Sequence, residues 1–210
     1  LLGEEVPHPV GSESNQRVAE RIIAELVSFG YAVETQETMA CNEDELVATC
    51  AAVRNILTRL PGQEDAPAVM LVAHYDSVGA GAGVADDGAA VAAIIEVARL
   101  LKEEAPFKNT IIFLLTDGEE VGLLGADAFV NEHPWASEVG AVINLEARGG
   151  GGRTTLFETS KGDDGAVRVY ADAVSRPAGS SLSAFIYEVL PNGTDLTEAM
   201  GQGYIAYNFA

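Results

Sequence analysis

Four short stretches of the sequence hold side chains that can do chemistry together: AHYDS (73–77), GVADDGAA (83–90), FLLTDGEEVGLLGA (113–126) and NLEARG (144–149). They supply one imidazole, His74, and a set of acids, Asp76, Asp86, Asp87, Asp117, Glu119, Glu120 and Glu146. If these converge, the carboxylates repel one another and hold protons more tightly unless a cation compensates. A metal is the natural cation: imidazole with carboxylates suits zinc, while manganese prefers more oxygen. Two metals sharing a bridging carboxylate can activate a water and polarise a carbonyl at once. Each residue also has a plainer use. Asp87 reads as a helix N-cap, and Glu119 and Glu120 suit the first turn of a helix. In a His-x-Asp pair, Asp76 can accept a hydrogen bond from the second ring nitrogen of His74 and hold the ligating tautomer.

Convergence depends on the elements around these residues. APAVMLVAHY (66–75), NTIIFLLT (109–116) and VGAVINLEA (139–147) are apolar throughout and alternate with helical patterns at 87–104 and 122–132. This is the signature of parallel strands covered on both faces. In such a sheet the strands end on a common edge, and ligands bind in the crevice beyond their carboxyl ends. The expected fold is therefore a three-layer α/β/α sandwich with a mixed, mainly parallel central sheet. The remaining pattern predicts a helix over 12–29, capped by serines and stopped at Gly30, and two strands, 31–39 and 51–62, that form an antiparallel edge. A helix is expected over 165–174 and a last strand over 203–210, with loops at 148–153 and 191–200. Asp195, in the second loop, serves a turn or a substrate equally well.

At 210 residues and 48% hydrophobic, the chain is expected to form one domain over 1–210. Thirty-two acidic against twelve basic residues give a formal charge of -20, which argues against nucleic acid or anionic membrane as partner. No apolar run reaches the ~18 residues of a membrane span, and no signal-like segment opens the chain, so it reads as a soluble piece. It starts at Leu1 and stops at an apolar YIAYNFA, as a piece trimmed from a longer protein would. Cys41 and Cys50 form either a small disulfide loop or two buried thiols.

The four stretches, in this order and spacing, resemble the co-catalytic zinc aminopeptidases, closest to the endoplasmic-reticulum metallopeptidase and vacuolar membrane protease branch, over roughly residues 12–160. The resemblance implies the zinc exopeptidase, aminopeptidase-like fold. It makes His74, Asp86 and Glu146 ligands of one Zn2+, with Asp86 bridging to a second Zn2+ held also by Glu120. Glu119 becomes the general base, Asp76 backs His74, and the Asp86–Asp87 peptide bond is cis. The implied reaction is hydrolysis of an N-terminal peptide bond by metal-activated water, with a peptide or protein N-terminus as substrate. The implied setting is extracytoplasmic, in a parent protein that is membrane-anchored. The family's last ligand is a histidine after the final strand, and this chain has none beyond His133, which follows a helix that leads away from the carboxyl edge; His8 is not placeable. One well-occupied zinc site, a weak second one and poor activity of the piece are therefore expected. A glutaminyl cyclase-like enzyme with one zinc and a non-catalytic domain of the same fold are the alternatives. Retention of His74 alongside both Glu119 and Glu120 favours the hydrolase.

Overall fold

A computed structural model describes the chain except residues 4, 44–46, 148–151, 161–163 and 191–192, and most of the predicted 148–153 loop lies outside the described residues. The described elements run α1 (Glu13–Ser28), β1 (Glu34–Glu43), β2 (Ala48–Leu60), β3 (Ala68–His74), α2 (Gly88–Glu104), β4 (Ile111–Thr116) and α3 (Leu124–Glu132). A 3-10 turn (Pro134–Glu138) leads to β5 (Val139–Leu145), β6 (Leu156–Thr159), α4 (Asp164–Ala173), α5 (Ser181–Val189), α6 (Asp195–Gly201) and β7 (Ile205–Phe209).

The seven strands form one sheet in the order β1-β2-β4-β3-β5-β7-β6. Its centre, β4-β3-β5-β7, is parallel, and β1, β2 and β6 pair antiparallel at the margins. The expectation of a mixed sheet in an α/β sandwich is met. Residues 191–200 are not simply a loop, since α6 begins at Asp195; β6 and α5 also add to the predicted set.

Side chains alternate across the central strands, as period-two geometry requires. On β4, Phe113 and Leu115 enter one core with Val18, Ile22 and Leu26 of α1 and Val91, Ile94 and Ala98 of α2. Ile112 and Leu114 enter the opposite core with Phe129 of α3 and Leu196 and Ala199 of α6. Burial on both faces explains why these strands lack a polar side, and at about 25 cal/mol per Å² it is the main source of stability. Helix α1 starts as its sequence predicts: the Ser12 side chain accepts from the Asn15 backbone N–H at 3.1 Å, and Gly30 follows its end with φ 80°.

At the antiparallel margin, Cys41 and Cys50 sit directly opposite each other on β1 and β2 and are joined as a disulfide. No described helix is long and apolar enough to cross a membrane.

Candidate metal centre

Parallel β3, β4 and β5 bring their carboxyl ends to one edge, with His74 and Thr116 side by side in register. His74 closes β3, the Asp117–Glu120 turn follows β4, and Glu146 follows β5. Asp86 comes from the loop between β3 and α2. That loop is closed by a hydrogen bond from the Gly88 N–H to the Gly83 carbonyl at 2.9 Å, and a side chain on Gly88 would collide with that carbonyl. The Asp86–Asp87 peptide bond is cis, as the resemblance implied.

Among the described residues, His74, Asp86 and Glu146 form one group whose ligating atoms all lie within 4.8 Å of one another. The His74 ring is 1% exposed and fixed at both nitrogens. Its Nδ1 lies 3.2 Å from the Asp76 carbonyl and 3.5 Å from an Asp76 carboxylate oxygen, and its Nε2 lies 3.2 Å from Asp86 Oδ1. With Nδ1–H donating to Asp76, Nε2 presents a lone pair toward the Asp86 carboxylate. Two lone-pair carriers facing each other fit a cation between them, and the donor set of one imidazole and two carboxylates fits zinc.

Asp76 also organises the two glutamates. Its buried carboxylate accepts the backbone N–H of Glu119 at 3.0 Å and that of Glu120 at 3.3 Å. The turn preceding them is pinned by Asp117, which accepts from the Asn15 side chain at 2.9 Å and the Arg54 N–H at 3.1 Å. Gly118, at φ 74°, takes the left-handed conformation that only glycine adopts without strain. The Glu119 side chain, 12% exposed, reaches 3.9 Å from His74 Nε2. Glu120 is not part of the convergent ligand group; its carboxylate interacts with the Val78 backbone N–H and lies in the field of Asp86.

The electrostatics of the site follow from burial and crowded charge. Burial, followed by the charges of Asp195 and Glu146, pushes the Glu119 carboxyl up to about 9, even though His74 opposes the shift. Burial pushes Glu146 up to about 7, with Asp195 and Asp86 adding to it. For His74 the largest effect, burial, lowers the pKa. Hydrogen bonds to Asp76 and Asp86 and the charge of Glu119 outweigh it, and the imidazole is raised well above its ordinary value. Without a cation, the cluster therefore takes up protons to relieve its charge.

The placement of Asp87 departs from the sequence reading, and those of Asp195 and the other histidines complete it. Asp87 stands at the N-cap position of α2, but its side chain makes no capping hydrogen bond. It is buried instead with both oxygens unpartnered, and burial pushes it up to about 9. Asp195, left undecided above, is the first residue of α6 and is buried against Thr116, whose hydroxyl donates to it. Its sequence signal was weak because TDLT (194–197) lacks the Glu or Gln of the usual capping box, although Thr197 completes one here. The other two histidines lie outside the ligand group. His133 pairs with Glu34 at 3.3 Å and stacks on Phe129 at the end of the sheet where β5 begins, and His8 packs against Gly83 and Ser77 beneath the Asp86 loop.

The architecture is that of the zinc-dependent exopeptidases. A Bacillus subtilis zinc aminopeptidase superposes with a TM-score of 0.77 at 15% identity, covering 99% of this chain and 82% of that one. A Zn-dependent exopeptidase from Parabacteroides distasonis gives 0.71 at 20% identity over 99% and 78%, and the glutaminyl cyclase of Porphyromonas gingivalis gives 0.70 at 22% over 99% and 77%. At these identities the likeness establishes the fold alone.

The sequence carries the assignment further: residues 55–210 match Peptidase family M28, and the chain belongs to that family of zinc-dependent peptidases. It is 34% identical over 194 residues to the vacuolar membrane protease of Eremothecium gossypii, covering 84% of this chain and 19% of that protein. It is 33% identical over 147 residues to endoplasmic reticulum metallopeptidase 1 of Rattus norvegicus, covering 68% and 16%. The chain thus spans about a fifth of the length of the curated relatives it matches.

Proposed function

We propose that this chain carries the catalytic centre of an aminopeptidase that removes residues from free peptide N-termini. The observation that carries the reading is the position of Glu119: a largely buried carboxyl 3.9 Å from His74 Nε2, beside the group of His74, Asp86 and Glu146 but outside it. A site that held metal for structure alone has no use for such a base.

In this reading His74, Asp86 and Glu146 would hold a zinc ion, and Glu120 with Asp86 would hold a second one weakly, because neither His8 nor His133 joins the group. When bound, zinc lowers the pKa of a water and polarises the scissile carbonyl. Asp76 keeps the His74 ring in its ligating tautomer and ties the backbone of both glutamates to the same support. Glu119 takes a proton from the attacking water as the new C–O bond forms, then gives it to the leaving amine as the C–N bond breaks. The α-ammonium of the substrate is drawn to the acid cluster, which disfavours acetylated termini and polyanions such as nucleic acid. The disulfide supports an oxidising, extracytoplasmic setting, and the membrane-protease names of the relatives support an anchored parent protein.

The test uses zinc-supplemented protein and one peptide in two forms, with a free or an acetylated N-terminus, followed by mass spectrometry. Stepwise loss of N-terminal residues from the free form alone is expected. Cleavage of the acetylated form at internal bonds sinks the aminopeptidase reading. Conversion of an N-terminal glutamine to pyroglutamate without hydrolysis points to the cyclase chemistry that shares this fold. Metal analysis should find one tightly held zinc; two equally tight ions would remove the weak second position.

A further inference from the structure

His8 stands outside the ligand group, yet it is 2% exposed and packed beneath the Asp86 loop. It belongs to PHPV (7–10), where two prolines stiffen the backbone and Pro9 disfavours a helical conformation at His8. Proline has no N–H, so His8 carries the single backbone donor of the Pro7–Pro9 stretch. That N–H donates to the Ser77 hydroxyl oxygen at 2.9 Å, and the Ser77 N–H donates back to the His8 carbonyl at 3.3 Å. Ser77 follows Asp76 and opens the loop that carries Asp86. Its hydroxyl proton faces the Val78 and Gly81 carbonyls, each 3.1 Å away. The His8 ring is fixed as well, because Nδ1–H donates to the Val6 carbonyl at 3.1 Å. Gly83, at φ 61°, rests on this ring: a side chain there would meet Ser77 Cβ at 2.8 Å and His8 Cε1 at 2.9 Å. The Gly83 carbonyl accepts the Gly88 N–H at 2.9 Å, and Asp86 lies inside that closure. Helix α1 holds the other side of the segment: the Ser14 hydroxyl donates to the Pro7 carbonyl at 2.8 Å and the Ser12 N–H to the Pro9 carbonyl at 3.1 Å.

From these contacts we infer that His8 is a positioning residue for the metal centre: with Ser77 it forms the floor on which the 78–87 loop lies, and so sets where the Asp86 carboxylate stands. The path is continuous, from His8 to Ser77 and Gly83, and from Gly83 to Gly88, with Asp86 between the last two. Asp86 needs such support. Its side chain is 55% exposed, so packing around the carboxylate does not fix it and the backbone must. That backbone is pliant, with glycine at 79, 81 and 83, unless something anchors it. A ligand is held in a productive place by the groups behind it, and here the group behind the loop is a buried ring set between two prolines. The inference rests on Asp86 serving as a zinc ligand, as in the function proposed above, and not on which reaction the zinc supports.

Chelator competition tests it by measuring the zinc dissociation constant of His8→Ala, Ser77→Ala and a control, His133→Ala, which removes a buried ring at the opposite end of the sheet. Groups that support metal ligands contribute about 10–100-fold in affinity. His8→Ala should therefore weaken zinc binding by about tenfold or more. Ser77→Ala keeps the ring but removes the acceptor of the His8 N–H, and should weaken zinc by about three- to tenfold. All three variants should melt at a lower Tm in chelator, whereas His133→Ala should keep its zinc affinity within about twofold of wild type. Turnover of His8→Ala should fall at limiting zinc and recover at saturating zinc with KM unchanged, since Glu119 is tied to Asp76 and not to this loop. Zinc affinity of His8→Ala within about twofold of wild type overturns the proposal. Equal weakening in His133→Ala at a matching loss of Tm overturns it too, because that marks general destabilisation. If His8→Ala does not fold, Ser77→Ala decides by the same criterion. A wild-type protein that binds zinc without aminopeptidase turnover defeats the functional reading instead, and the zinc comparison still decides the role of His8.

Discussion

Raising the pH should destabilise the metal-free protein, and zinc should cancel the effect. Glu146 has an ordinary pKa of 4.5 and is pushed up to about 7 in the fold, first by burial. Between those values the native chain keeps a proton that the unfolded chain releases, so stability falls as pH rises. The interval of about 2.5 pH units at 1.36 kcal/mol each corresponds to roughly 3 kcal/mol. Glu119, pushed up to about 9, acts in the same direction and extends the decline toward pH 9, although it shares its protonation with its neighbours and does not simply add. His74, raised above its ordinary value, has the same sign, since its contribution is present at low pH and lost as it deprotonates. Against a total stability of about 5–15 kcal/mol, the loss is large. Urea unfolding at pH 5, 7 and 9, in chelator and in zinc, measures it. In chelator the midpoint should drop steadily across this range. In zinc, which favours the ionised ligands, the drop should shrink, so the gain from metal grows with pH. Replacing Glu119 and Glu146 together by glutamine should reduce the decline in chelator, leaving the part due to Asp87 and His74, whereas Glu13→Gln, at a side chain 93% exposed, should leave it unchanged. A midpoint in chelator that is constant or rises from pH 5 to 9 refutes the account of a cluster short of cations.

Three further outcomes follow from particular contacts. Glu119→Gln should reduce turnover of an aminoacyl anilide by about 10²–10⁴-fold at unchanged zinc content, the usual contribution of a general base, and unchanged turnover removes Glu119 from the chemistry. Cys41→Ser with Cys50→Ser should lower stability by about 2–3 kcal/mol, the chain-entropy value for so short a loop, with zinc binding intact; the check is the shift in urea midpoint. His133→Ala, which removes a ring stacked on Phe129 and edge-on to Trp135, should cost about 1–3 kcal/mol in the same assay without loss of metal.

The central strands and the residues at their carboxyl edge were legible for one reason: strands buried on both faces carry few polar residues until they end. His74, Asp117 and Glu146 therefore mark the ends of β3, β4 and β5 in the sequence itself. The parallel arrangement then places those ends on one edge. The C-terminal third was less legible. Helix α5 leaves Leu182, Phe185 and Ile186 exposed, so its apolar spacing does not report a core, and β6 is too short to show a period. The state of the cysteines could not be read from spacing; only the register of β1 on β2 puts them face to face.

The roles of Asp87 and Asp195 were hidden for a deeper reason. At the start of a helix an acid is favourable on local grounds, so local rules assign it a cap and stop there. Three-dimensional packing reverses the preference at both positions: each carboxylate is turned inward, buried and short of partners. Fold stability alone would favour an amide or a hydrocarbon at either place, because an unpartnered buried acid works against the native state. When ionised, the same acids add to the negative potential around His74 and Glu146, and that potential favours a cation at this edge. The two apolar cores flanking β3 and β4 are what allow the edge to carry this burden. Stability gained at the middle of the sheet is set against charge crowding at its carboxyl end, and a bound cation relieves the crowding.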